Sequence, residues 1–251
     1  MYLVLITALG VGGATVIGAI VGSFFQKIPH KYNDGILGFA AGVMLTAAAF
    51  GLIQPSLEFG GDHGVWMTVA GILAGALFLN LADRFVPHLH NLAGIDTEKH
   101  AGDMKALNKT MLFVFAIAIH NFPEGLAAGV SFGTGDISGA ITVATGIALQ
   151  NIPEGMIIIS PLLSAGLSRG KAFSIAALTG LVEVIGTFLG FWAVSITTTV
   201  LPFALAFAGG TMLYVISDEM IPETHNHGHE RLATYSLLAG FAVMLLLDFY
   251  I

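Results

Sequence analysis

Two short polar motifs interrupt long apolar stretches of this sequence. HNFPEG spans residues 120–125 after MLFVFAIAI, and QNIPEG spans residues 150–155 after a second apolar run. In each motif a His or Gln precedes a Glu by four residues, so both side chains lie on one face of a helix. Imidazole, carboxylate and amide oxygen atoms suit Zn²⁺ and its neighbours Fe²⁺, Mn²⁺ and Cd²⁺. The motifs therefore predict a metal site shared by two helices.

Three acidic residues, Glu124, Glu154 and Glu183, fall within apolar segments that contain no Lys or Arg. An ionised acid facing lipid costs roughly 2.5–3.5 kcal/mol at a helix centre, so a bound cation, water or a proton must compensate. The alternative is that these polar groups only hold helices together. The three acids, the His and the helix-breaking Pro123 and Pro153 together favour a cation site in two broken helices.

The composition identifies an all-α, polytopic membrane protein. Of 251 residues, 55 % are hydrophobic and only 10 % are charged, against about 25 % charged in soluble domains. There is no cysteine, which excludes disulfides and thiolate ligands. Segments long enough to cross a bilayer predict eight helices in a single domain, residues 1–251. They lie at about 2–25, 34–54, 65–82, 110–131, 139–164, 172–197, 203–219 and 232–250.

The basic residues fall in alternate loops, which predicts the orientation. By the positive-inside rule these loops are cytoplasmic and both termini lie outside, here in the cell (inner) membrane. A loop at 83–109 and a His-rich loop at 220–231 are thus cytoplasmic. Glycines spaced i,i+4 within the helices predict tight helix packing. The alternating His225, His227 and His229 fit either metal collection at the exit or an ordinary solvated loop.

The doubled PEG motif and the eight-helix topology resemble the ZIP family of divalent metal transporters, specifically its GufA-like bacterial branch. The resemblance implies a homodimeric transporter in which helices one, four, five and six slide against the rest. It implies a central site for one or two metals, formed by His120, Asn121, Glu124, Gln150, Asn151 and Glu154 and completed by Glu183 and Met44. It also implies an external entrance at Glu58 and Asp248, and a release path past Asp218 and Glu219. The chain departs from the family pattern at Gln150, Asn151 and Val184, where many or some members have His, Asp and Pro.

The sequence thus predicts an importer of divalent transition metal with Zn²⁺ as the first candidate, and the metal is cargo and not a cofactor. Its partners are the metal, the lipid bilayer and a second copy of the chain, and no nucleic acid. Binding needs neutral His and ionised Glu, so uptake should weaken as the pH falls. An intramembrane zinc hydrolase is the first alternative, but HExxH is absent and only one His lies within a predicted span. A metal-selective channel with the same ligands is the second. No catalytic residue is predicted.

Overall fold

The computed structural model describes residues 1–25, 28–85, 118–164 and 166–251. Eight helices, here α1 to α8, follow one another, and the described residues contain no strand, which confirms the all-α class. The helices are α1 Tyr2–Ser23, α2 His30–Phe59, α3 Gly64–Phe85, α4 over 118–131, α5 Ile137–Ser164, α6 Arg169–Ile196, α7 Leu201–Thr224 and α8 Glu230–Tyr250.

Seven of these helices are long and apolar enough to cross a membrane. The described part of α4 is shorter than the 18 residues that such a span requires. The predicted start of that span, from 110 to 117, lies outside the described residues, as does most of the loop at 83–109. Eight spans therefore remain a prediction, whereas a membrane protein with several apolar helices is what the fold shows.

The breaks predicted at the two PEG motifs are not confirmed. Helix α5 is continuous from Ile137 to Ser164 with Pro153 inside it, and α4 is helical through Pro123. The irregular turns lie elsewhere, because α2 contains a π-helical segment at Ala47–Ile53 and α7 contains one at Ile216–Met220. Each π segment holds the residue four positions before a proline, Pro55 or Pro222. A wider turn there relieves the clash between the proline ring and the i−4 carbonyl.

Glycines join the helices in four closely packed pairs, as the i,i+4 spacing predicted. A Cβ atom at Gly18, Gly42, Gly75 or Gly129 would meet the backbone carbonyl of the neighbouring helix. These contacts pair α1 with α5, α2 with α8, α3 with α7, and α4 with α6. Within each pair, a contact further along one helix is matched by a contact further along the other, so the paired helices run parallel. Each of these four pairs joins two odd or two even helices, as parallel helices must be in a chain that reverses direction after every helix.

The pairs assemble into two four-helix groups. We call α1, α4, α5 and α6 the motif bundle, and α2, α3, α7 and α8 the frame bundle. They meet in an apolar core in which Ala47 of α2, Ala127 of α4 and Ile147 of α5 are fully buried. Since small and aliphatic side chains dominate this seam, few polar contacts hold one bundle to the other.

The two ends of the molecule differ in chemistry. Near one end the hydroxyl of Ser138, at the start of α5, donates a hydrogen bond to the backbone oxygen of Ile251. We call this the C-terminal end, and α2 finishes there because it runs parallel to α8. The opposite end carries the turn between α7 and α8 with its three histidines, and we call it the loop end.

Candidate metal centre

The two PEG motifs face each other across α4 and α5. The amide nitrogen Nε2 of Gln150 donates to Oε1 of Glu124 at 2.7 Å. Both side chains are completely enclosed in the motif bundle. The expectation that the i,i+4 faces of the two motifs meet is thus realised by this contact.

A second polar cluster lies around Glu183 of α6. Its Oε1 accepts hydrogen bonds from Thr15 Oγ1 at 2.6 Å and from Asn121 Nδ2 at 2.5 Å. Its Oε2 accepts one from Asn151 Nδ2 at 2.6 Å. Asn151 also donates to the carbonyl oxygen of Val11 at 3.2 Å. Every helix of the motif bundle contributes to this cluster.

Several acceptor atoms at the centre have no hydrogen-bond partner within the part of the chain that the structure describes. They are Oε2 of Glu124, Oε1 of Gln150 and Oδ1 of Asn151, all three completely buried. Buried oxygens are satisfied by hydrogen bonds in nearly all native structures. The amide nitrogens of Gln150 and Asn151 donate to carboxylates, which fixes the orientation of each amide. The amide oxygens are therefore available to a Lewis acid. The arrangement is suited to a cation.

His120 extends the centre towards the loop end. Its Nε2 lies 2.9 Å from Oε1 of Glu219 on α7, and both side chains keep a little solvent exposure, 12 % and 14 %. Glu154 is half-buried and lies within electrostatic range of His120, Glu124 and Glu183. Glu219, expected on the release path, therefore adjoins the central site directly, whereas Asp218 is exposed.

The remaining expected ligand, Met44, is 1 % exposed in the apolar core between the bundles, together with Ile147 and Ala128. No three His, Asp or Glu side chains among the described residues are arranged ready to hold a metal ion. The hydrogen bonds of Gln150 and Asn121 hold the carboxylates in other positions. Metal binding at the centre therefore requires side-chain rotation.

The expected entrance residues lie at the C-terminal end. Glu58 is exposed near the end of α2 and accepts a hydrogen bond from Nε2 of Gln54 at 3.1 Å. Asp248 is exposed near the end of α8. Because α2 and α8 run parallel, the two acids share this end of the molecule.

The loop histidines are held in place by an acid that sequence reasoning did not single out. Nδ1 of His227 lies 2.9 Å from Oδ1 of Asp34, and Nδ1 of His229 lies 3.1 Å from Oδ2 of the same carboxylate. Asp34 is completely buried. His225 turns away, with Nδ1 2.8 Å from the carbonyl oxygen of Ile221. Two of the three histidines are therefore anchored by Asp34.

Thr15 and Asp34 are the functional candidates that the sequence-based prediction missed. Each had a faint signal, since Thr15 brings a hydroxyl to a glycine-rich helix face and Asp34 is an acid at the start of an apolar helix. Threonine is common in membrane helices and an acid is common near a helix start. Neither signal identifies a partner more than a hundred positions away.

Comparison with known proteins identifies the family. The profile described as "ZIP Zinc transporter" matches residues 90–248, more than half of the chain. The chain belongs to the ZIP family. The family resemblance seen in the PEG motifs is thereby confirmed.

Several curated ZIP-family proteins are similar over most of their length. Zinc transporter GufA of Myxococcus xanthus is 41 % identical, with 97 % of each chain covered. Zinc transporter ZIPB of Bordetella bronchiseptica is 40 % identical over 94 % of this chain and 77 % of its own. Zinc transporter ZupT of Chlorobaculum parvum is 37 % identical over 93 % and 91 %. These relatives are transport proteins and not enzymes, which confirms the expectation that this chain is not an enzyme.

Proposed function

We propose that this ZIP-family chain imports Zn²⁺ through the site between the two PEG motifs. The observation that carries the proposal is the set of buried oxygens without hydrogen-bond partners on Glu124, Gln150 and Asn151, among the residues that the structure describes. They stand beside the carboxylate of Glu154 and the imidazole of His120. The names of the similar proteins, all zinc transporters, support Zn²⁺ as the cargo. Fe²⁺, Mn²⁺ and Cd²⁺ are further candidate cargoes because they accept the same ligand types.

In the proposed bound state, His120, Glu124 and Glu154 supply the imidazole and the two negative charges. Gln150 and Asn151 add amide oxygens, and Met44 approaches from the frame bundle. Two carboxylates neutralise one divalent cation, which removes the cost of burying either charge alone. Asn121 and Glu183, the remaining expected ligands, are hydrogen-bonded to each other.

The proposed path runs from the C-terminal end to the loop end. Glu58 and Asp248 attract the hydrated cation outside, in the orientation with both termini external to the inner membrane. Beyond the site, Glu219 receives the metal from His120, 2.9 Å away. Asp218, His225, His227 and His229 continue the path into the cytoplasm, and Asp34 joins them. The partial exposure of His120 and Glu219 supports access from the loop end in this conformation, because Ala127 and Ile147 towards the other end are buried.

Alternating access arises when the motif bundle moves against the frame bundle. The glycines that bring two helix backbones into contact act within the bundles, so each bundle moves as one body, whereas Gly51 and Gly146 at the seam meet only side chains of the other bundle. The seam between them is largely apolar, so sliding breaks few polar contacts, chiefly the one between His120 and Glu219 and the one between Ser138 and Ile251. Apolar side chains exposed on α3, such as Trp66 and Leu73, face lipid or a second copy of the chain in the proposed homodimer.

The test uses purified protein in liposomes that contain a fluorescent zinc indicator. Saturable Zn²⁺ uptake is expected, lost in the Glu124→Ala, Glu154→Ala double variant and weaker at lower external pH. Asp136→Asn, an exposed acid in the turn before α5, serves as the matched control and should retain uptake. Tight zinc binding without uptake would reject transport, and non-saturating flux of shallow temperature dependence would indicate a channel.

A further inference from the structure

We infer that Glu183 is not a metal ligand in this chain but the acceptor of a hydrogen-bonded lock formed with Thr15, Asn121 and Asn151, so that the central site holds one Zn²⁺. The inference rests on the proposed function and specifies the number of metals and their ligands. It also assigns Thr15, which no expectation had placed in the site, a role in positioning Glu183.

Hydrogen bonds occupy three of the four lone-pair positions of the Glu183 carboxylate, both of those on Oε1 and one on Oε2. Two neutral donors bind Oε1, at 2.6 and 2.5 Å, and a third binds Oε2 at 2.6 Å. Two of these donors are amide N–H groups, whose partial positive charge faces the carboxylate. A divalent cation placed on Glu183 would confront those same N–H groups. The carboxylate is therefore satisfied without metal, and its burial at 0 % exposure is explained.

Glu124 contrasts with Glu183 in its surroundings. Only its Oε1 accepts a hydrogen bond, from Gln150, and its Oε2 has no hydrogen-bond partner among the described side chains and backbone groups. The two polar atoms of the Asn151 side chain have different roles. Its nitrogen belongs to the lock and its Oδ1 is left for the metal. Asn151 thus satisfies the carboxylate of Glu183 and leaves that of Glu124 available to the metal.

The lock also connects all four helices of the motif bundle. Thr15 lies on α1, Asn121 on α4, Asn151 on α5 and Glu183 on α6. Gly12 and Gly180 permit the close approach of α1 and α6 that brings Thr15 to Glu183, because a Cβ on either would meet the backbone of the other. The position of Glu183 is therefore set by packing as well as by hydrogen bonds.

The decisive experiment counts zinc at the centre alone. Tag-free protein in detergent is equilibrated with Zn²⁺ and dialysed, and its metal content per chain is measured by mass spectrometry. The content of the Glu124→Ala, Glu154→Ala variant in the same background is subtracted, which cancels zinc held by loop histidines. We expect this difference to be one Zn²⁺ per chain in the wild type. We expect the same difference, one Zn²⁺ per chain, in the Glu183→Gln background.

The opposite substitution tests the role of Asn151. An aspartate cannot donate to Glu183, so Asn151→Asp creates two facing carboxylates that need a second cation, and the difference should rise to two. A wild-type difference of two that falls to one with Glu183→Gln would overturn the inference and leave zinc transport intact. A wild-type difference of zero would instead remove the proposed central site itself. If Asn151→Asp stays at one, the amide is not what excludes the second metal, and that part of the inference fails.

Thr15 is tested by a matched pair of variants. Thr15→Val keeps the shape and removes the hydroxyl, whereas Thr15→Ser keeps the hydroxyl. We expect a lower melting temperature for Thr15→Val, restored by Thr15→Ser, with the zinc difference of one retained in both. Loss of central zinc in Thr15→Val, restored in Thr15→Ser, would mean that Glu183 takes part in metal binding, and would refute the lock. Because the wild-type count is decisive by itself, a poorly folded Glu183→Gln protein does not prevent the test.

Discussion

Gln150 and Glu124 share a hydrogen bond of 2.7 Å that joins the two PEG motifs, and it leaves one oxygen of each side chain unpaired within the described residues. The bond fixes which atoms remain for a metal. It also holds Oε1 of Glu124, so the side-chain rotation that metal binding requires must bring Oε2 to the cation.

The first prediction concerns this pair. Gln150→Ala removes both the amide oxygen and the donor that orients Glu124, and we expect weaker Zn²⁺ uptake through a raised apparent KM. Loss of an orienting partner at a metal site typically costs about 10–100-fold in affinity, and here a ligand is lost as well. Asp136→Asn, an exposed acid in the turn before α5, is the control. An unchanged KM in Gln150→Ala would show that this amide neither binds the metal nor orients a ligand for it.

Relative motion of the two bundles is testable with a reversible cross-link. A Cβ at Gly146 of α5 would lie 3.7 Å from the Cβ of Ala47 on α2, within the range found in disulfides. Only the flexible end of Met244 must move aside. Oxidation of the Ala47→Cys, Gly146→Cys variant should therefore stop uptake, and reduction should restore it.

The two single-cysteine variants are the controls for that experiment, and the native chain contributes no cysteine of its own. Both should transport in oxidant and in reductant. Full transport by the cross-linked double variant would show that the cycle does not need movement between α2 and α5.

Glycine packing predicts a difference between two positions of the same helix. A Cβ at Gly18 of α1 would meet the backbone of Ile152, whereas a Cβ at Gly13 would meet nothing within 4 Å. Gly18→Ala should destabilise the protein by about 1–3 kcal/mol, the usual cost of overpacking. Gly13→Ala should be neutral or stabilising by up to about 1 kcal/mol. Thermal unfolding in detergent measures both, and equal melting temperatures would contradict the tight α1–α5 contact.

The buried acid at the loop end gives a fourth prediction. Asp34→Ala removes the carboxylate that contacts His227 and His229, so the turn between α7 and α8 should exchange its amide hydrogens faster. Loss of a buried hydrogen-bond partner costs about 1–3 kcal/mol. Hydrogen–deuterium exchange of the peptide over 225–232 measures the change. Asp218→Asn, an exposed acid on α7, is the control and should leave this exchange unaltered.

The sequence sufficed for the fold class and for the meeting of the two motifs. Composition requires helices, and the i,i+4 spacing places His120 with Glu124 and Gln150 with Glu154 on their respective faces. Continuity of α5 through Pro153 was not foreseeable, because the effect of a proline depends on whether its neighbours accommodate the ring. The π segments that precede Pro55 and Pro222 show the other outcome of the same conflict.

The partners of the buried acids lay beyond local patterns. Thr15 meets Glu183 at a separation of 168 residues, and Asp34 meets His227 at 193. Nothing in the spacing of residues within one helix specifies such contacts. They depend on which helices become neighbours, and the pairing of α1 with α5 and of α2 with α8 follows from glycine surfaces that many helices of this chain share.

The parallel helix pairs have a practical consequence for spectroscopy. Backbone-to-backbone contact joins α3 and α7, so two probes on this pair should report a distance that stays constant through the proposed transport cycle. Probes on α3 and α1, which belong to different bundles, should report the proposed displacement of one bundle against the other. The α3–α7 distance thus serves as an internal reference for the α3–α1 distance. A change in the α3–α7 distance would indicate that the labels distort the structure, and not that transport has occurred.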